Sequence, residues 1–159
     1  MGPLSLDQVV EVVDRSECGI KFAIVNTAKQ VTGGQHWVGV LWEKQHSTPK
    51  PTIVVRVLET LRSSRISKPV VSTLKTAGFD ARVQILRWQV ERPLWKCGFY
   101  QLFIAIHAAR QIQSGTAFAD VRAERMPDRF ITLVCDLVNA VKFNRKCRVE
   151  PIDLQPISG

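Results

Sequence analysis

The sequence predicts an α+β fold in which a small mixed β-sheet packs against a central buried helix, and three observations carry that expectation. Short runs rich in Val, Ile and Trp recur between turn signals and have strand length. A longer apolar stretch, Cys97 to Ile112, has helical length and spacing. Segments of helical period bounded by Ser, Pro and Gly separate the strands.

Leu6, Val9, Val10 and Val13 recur at helical spacing behind Ser5 or Asp7 as a cap, which predicts a short amphipathic helix from Ser5 to Val13. Asp14 to Gly19 reads as a turn, Phe22 to Val25 as a strand, and Trp37 to Trp42 as a second strand beginning directly after His36. The exposed turn from Glu43 to Pro51 leads into the β-branched run Ile53 to Leu58, so these two strands should pair as an antiparallel hairpin. Ser67 to Gly78 predicts a helix, with Pro69 in its first turn and Gly78 at its end. Val83 to Val90 predicts a further strand, stopped by Pro93. Cys97 to Ile112, apolar almost all round with Phe99, Leu102, Phe103, Ile106 and Ala109, should be the buried central helix. A last helix is expected from Asp128 to Phe143, followed by a basic segment from Lys142 to Arg148. The whole reads as one domain over residues 1–159, with an ordered core at about 5–149 and a tail at 150–159.

A chain of 159 residues can bury roughly two-thirds of its extended surface, and 45% hydrophobic with 23% charged residues is a globular composition. The formal charge of +8 attracts polyanions, nucleic acid first among them, although a merely solvated basic surface is an equal reading. Cysteines at 18, 97, 135 and 147 form no CxxC pair, and no signal peptide is read. Reduced thiols in an intracellular, non-secreted protein are therefore expected, without a disulfide framework or a metal site. No apolar run spans a bilayer, and Leu6 stands where a myristoylation signal needs Ser or Thr.

The chemistry starts from Cys97. At a helix N-terminus the dipole and unpaired N–H groups favour a thiolate, the nucleophilic form of cysteine. On spacing alone, a cysteine there is more commonly a small core residue. Among three histidines, His46 lies in the exposed turn and His107 within the helix that follows Cys97. His36 stands at the mouth of a strand beside Gly33-Gly34, where backbone can admit a substrate. Glu59 ends the strand paired with the one that His36 begins, so an antiparallel hairpin brings the two side by side as base and orienting acid. A solvated Glu at a strand end is the plainer alternative.

These residues carry a resemblance. The stretch Ala23 to Thr27, then Thr32-Gly33-Gly34-Gln35-His36-Trp37 and Trp42, resembles the catalytic-histidine region of the adenovirus endopeptidase (adenain) family and, more distantly, the SUMO-protease clan. Leu58-Glu59-Thr60-Leu61 resembles the segment that holds the family's acidic triad member. Trp88-Gln89 followed by Lys96-Cys97-Gly98-Phe99 resembles its block of oxyanion glutamine, nucleophile and apolar helix. The similarity extends over about residues 5–112. It implies Cys97 as nucleophile, His36 as base, Glu59 as orienting acid, Gln89 as an oxyanion donor, and Trp37 as a cover for the His36 ring. The Gln89-to-Cys97 spacing and the hairpin between His36 and Glu59 are longer than the family's. Residues 81–87 lack the cysteine through which family members take a peptide cofactor, so that covalent activation is not expected here.

The resemblance thus implies a monomeric thiol endopeptidase that cuts polyprotein or capsid precursors at glycine-containing sites in the host nucleus or the virion. No cofactor is required on this reading. DNA would serve as a stimulating polyanion, held by Arg62, Arg65, Lys68, Lys75, Arg82, Arg87, Lys142, Arg145, Lys146 and Arg148. Two alternatives are a deconjugating protease for a ubiquitin-like modifier, and a non-catalytic basic nucleic-acid-binding module on the same fold.

Overall fold

The computed structural model describes residues 4–27, 36–47, 49–62, 64–89 and 96–143, with backbone alone at 89 and 140–143. The elements run α1 (Leu6–Arg15), β1 (Gly19–Asn26), β2 (Trp37–Gln45), β3 (Thr52–Leu61), α2 (Lys68–Thr76), β4 (Asp80–Gln89), α3 (Cys97–Gln113), a short 3-10 turn (Phe118–Asp120) and α4 (Arg129–Phe143). The sheet order is β1-β2-β3-β4. β1 pairs with β2, and β2 with β3, antiparallel, whereas β3 and β4 are parallel, so the sheet is mixed as expected.

Each junction has a local cause. The Gln8 side chain accepts a hydrogen bond from the Ser5 backbone N–H, closing the start of α1. At the other end of the crossover, Gly78 takes φ +90° while its N–H and that of Phe79 bond back to Lys75 and Leu74, which terminates α2. That termination turns the chain into β4. A parallel partner for β3 needs a crossover connection, and α2 supplies it.

Side-chain alternation divides the core into two layers. Val38, Val40, Val55 and Val57 pack with Val9 and Val13 of α1 and Val70 and Leu74 of α2. Leu41 and Leu58, pointing the other way, pack with Ile104 and Ala108 of α3 and with Phe118 and Val121. Arg56 fastens the Phe118 segment, donating to the carbonyls of Val121 (3.0 Å) and Phe118, with its guanidinium over the Phe118 ring. Gln111 accepts from the Arg122 N–H at 2.9 Å and donates to the Arg122 carbonyl at 2.8 Å. Both strap the 116–124 segment beside α3.

α3 is less enclosed than its composition predicts. Leu102 is 37% exposed and Ala109 lies at the surface, because α3 buries one face and leaves the opposite one to solvent. Contacts divide the chain into two compact units, Met1–Met126 and Pro127–Gly159. α4 belongs to the second and bears the exposed side chains of Leu133, Leu137 and Val138. Among the described residues no helix is long and apolar enough to cross a membrane.

Candidate active site

Three of the sequence-predicted residues converge where β2 begins, β3 ends and α3 starts. The antiparallel register pairs Gly39, three residues after His36, with Leu58, the residue before Glu59, so the chain reaches His36 beside the end of β3. The His36 Nε2 lies 2.7 Å from Glu59 Oε1, and both side chains are fully buried. Glu59 is therefore not a solvated strand-end residue. Its Oε1 also accepts the Leu61 N–H at 2.9 Å, just where the β3–β4 register slips between Glu59 and Leu61. A ring N–H and a backbone N–H thus hold one carboxylate oxygen.

The backbone of His36 is fixed as well as its ring. Thr27 donates to the His36 carbonyl twice, from its backbone N–H (2.9 Å) and its Oγ1 (3.0 Å). This clamp joins the end of β1 to the start of β2. With Nε2 engaged by Glu59, Nδ1 is the ring nitrogen left for Cys97, and it has no hydrogen bond of ordinary geometry among the described residues. Burial opposes charge on the ring, but the nearby Cys97 sulfur, the hydrogen bond to Glu59 and the coulombic attraction of both outweigh it. Together they push His36 from 6.5 up to about 9. The ring is then a cation at neutral pH.

Cys97 opens α3 and is 6% exposed. Its N–H belongs to the first helical turn, where backbone donors lack partners within the helix and are free to bind an anion. Gly98 lets Trp37 close over this turn, since a Cβ at Gly98 would stand 2.8 Å from the Trp37 ring. The Trp37 indole, expected over the His36 ring, packs on Gly98, the residue after the thiol. Trp88 of β4 meets Tyr100 of α3, ring centroids 6.2 Å apart. Trp88 reaches there past Arg87, which takes φ +57° within the register slip, an uncommon conformation for a side-chain-bearing residue.

Gln89 is the last residue of β4, and its side chain lies outside the described residues, as do Gly33, Gly34 and Gln35. Of the basic set, Arg62, Arg65, Lys68, Lys75, Arg82 and Arg87 are exposed in the first unit. Arg82 is partly neutralised by Asp80 at 3.3 Å. Lys142 lies in α4, while Arg145, Lys146 and Arg148 fall outside the described residues. His46 is exposed, and His107 pairs with Glu124 at 3.0 Å beside the Phe103 ring, which gives it a structural partner away from the thiol.

Sequence reasoning assigned no role to Thr27, Gly39 or Gln101. The signal for Gln101 was present: it is an amide inside the apolar first half of the helix, one turn after Cys97. Thr27 and Gly39 act through backbone geometry that no periodicity reports.

The fold has solved counterparts. HopZ1a in complex with IP6 superposes with a TM-score of 0.51 at 16% identity, covering 87% of this chain and 49% of that one. AvrA delL154 with IP6 and CoA gives 0.52 at 13% identity, covering 93% and 65%. The chain therefore spans about half of the length of HopZ1a and about two-thirds of that of AvrA in these structures. No family model matches, and no curated protein matches either. What these comparisons establish is an α+β fold of the cysteine-protease-like type.

Proposed function

We propose that this chain is a thiol hydrolase of the adenovirus-protease type that cleaves precursor proteins at glycine-containing sites. The observation that carries the reading is the fully buried His36–Glu59 contact of 2.7 Å beside Cys97 at the head of α3. The imidazolium stabilises the Cys97 thiolate, and the sulfur attacks the scissile carbonyl. The oxyanion accepts the Cys97 N–H and, on this reading, the Gln89 side chain. The C–N bond breaks as His36 delivers its proton to the leaving amine, leaving a thioester on Cys97. Water then attacks the thioester, giving up a proton to His36, and release of the acid restores the thiolate–imidazolium pair. Glu59 orients the ring throughout.

Cleavage of a glycine-containing precursor peptide should fall by roughly 10⁴-fold or more in Cys97→Ala while the fold is retained. Cleavage that survives this substitution excludes the mechanism. The exposed cations Arg62, Arg65, Lys68 and Lys75 support a stimulating polyanion. DNA is the polyanion suggested by charge, and inositol hexakisphosphate the one suggested by HopZ1a and AvrA. Adding each in turn at low and high salt separates them, and no stimulation by either removes this part of the proposal.

A second reading is favoured by one observation, the CoA present with AvrA. The same thiolate could attack an acyl-CoA thioester, release CoA, and pass the acyl group to an amine instead of water. Incubation with acetyl-CoA distinguishes the two: a mass increase on the Cys97 peptide with CoA release favours transfer, and its absence alongside peptide cleavage favours proteolysis.

A further inference from the structure

We propose that Gln101 is a positioning residue for this site, its amide fixing the phase of α3 against β3 and so setting where the Cys97 sulfur stands relative to His36 and Glu59. The inference rests on the reading of Cys97 as nucleophile given above.

Gln101 follows Cys97 by four residues, so the two side chains lie on one face of α3, one turn apart. It is 0% exposed, an uncommon state for an amide in an apolar helix. Its Nε2 donates to the Leu58 carbonyl at 3.1 Å, the residue immediately before Glu59. Leu58 pairs with Gly39 across the hairpin, and the other end of the amide faces Gly39. A Cβ at Gly39 would come within 2.5 Å of Gln101 Oε1 and 2.8 Å of the Phe22 ring, so only glycine leaves room for this side chain. The amide thus inserts where β2 and β3 are paired, three residues after His36 on one strand and one before Glu59 on the other.

The physical consequence follows from the helix. Apolar contacts such as those of Ile104 and Ala108 hold α3 against the sheet but are non-directional, and tolerate rotation about its axis. A hydrogen bond to a strand carbonyl is directional. One residue of slip would swing the thiol by about 100°, away from an imidazole that the Thr27 clamp and Glu59 hold in place. Stability alone is a poor account of this amide. Gln101 Oε1 is buried without a partner among the described residues, an arrangement that costs free energy, whereas Met would fill the same space with no unpaired acceptor.

The test compares the full chain with Gln101→Met and Gln101→Asn, the latter keeping an amide one methylene too short for Leu58. Iodoacetamide labelling of the Cys97 peptide is followed by mass spectrometry between about pH 5.5 and 9.5, alongside thermal melting. In the unmodified chain the labelling rate should change little with pH through neutrality. Gln101→Met should melt at or above the unmodified temperature, yet label about fivefold or more slowly near pH 6, recovering the steep pH dependence of an ordinary thiol. Gln101→Asn should show the same altered profile and is decisive if the Met variant does not fold. A folded variant that keeps the flat profile overturns the proposal, whatever its melting temperature. A steep profile in the unmodified chain instead overturns the reading of Cys97 itself.

Discussion

The two faces of the sheet are covered by different kinds of contact. Towards α1 and α2, Val9, Val13, Val38, Val40, Val55, Val57, Val70 and Leu74 meet with no solvent exposure and no polar atom among them. Towards α3, the apolar layer of Leu41, Leu58, Ile104 and Ala108 also admits the buried amide of Gln101, and Arg56 ties down the Phe118 segment beside it. Those valines and Leu74 are replaceable hydrocarbon of the right volume, with the indole of Trp42 donating to Ser16 Oγ at 2.9 Å as the polar contact of that cluster. On the second face, directional bonds hold specific atoms at specific places, which a reacting thiol needs and a core does not.

The contrast can be broken most forcefully at Glu59. Glu59→Gln keeps the shape but removes the charge that holds the imidazolium, and peptide cleavage should fall by roughly 10³-fold. Retention of more than about a tenth of the rate would mean that Glu59 merely fills space.

A smaller effect separates the faces by pH. Folding raises His36 from 6.5 to about 9, so the folded chain holds this proton more tightly than the unfolded one. The resulting stability, up to roughly 3 kcal/mol, is complete below the unfolded value and is lost as pH rises through about 9. Denaturant titrations at neutral pH and above pH 9 should show that loss, and His36→Gln should abolish the difference.

The smallest effect sharpens the comparison from the other face. Val55→Ala should cost about 2 kcal/mol by lost burial and cavity, while the pH profile of Cys97 labelling in the folded protein stays as it was. A changed profile would show that the two faces are coupled.

These faces also differed in how far the sequence revealed them. The strands of the valine layer were legible as apolar runs, Val38 to Trp42 and Ile53 to Leu58, and α1 from the helical spacing of Val9 and Val13, whereas which strand residues face which layer is defined by the assembled sheet. The hairpin that joins His36 to Glu59 was legible for the same reason, with the strands extending a few residues beyond the apolar runs that announced them. Strand ends continue as long as backbone pairing does, and polar residues such as Lys44, Gln45 and Thr52 pair without an apolar signal. Enclosure of the α3 helix was overstated, because composition reports how apolar a helix is and not how many faces meet a neighbour. Leu102 is the residue that shows it. The slip at Arg87, the Thr27 clamp and the room left by Gly39 arise from backbone positions that only the assembled sheet defines.

The most direct test of the account is the titration of the His36 ring itself, followed by NMR of ring-labelled histidine. The account predicts that His36 stays protonated through neutrality and releases its proton near pH 9, and that Cys97→Ala moves this midpoint to lower pH. A ring that titrates near 6.5, indifferent to Cys97, would contradict it.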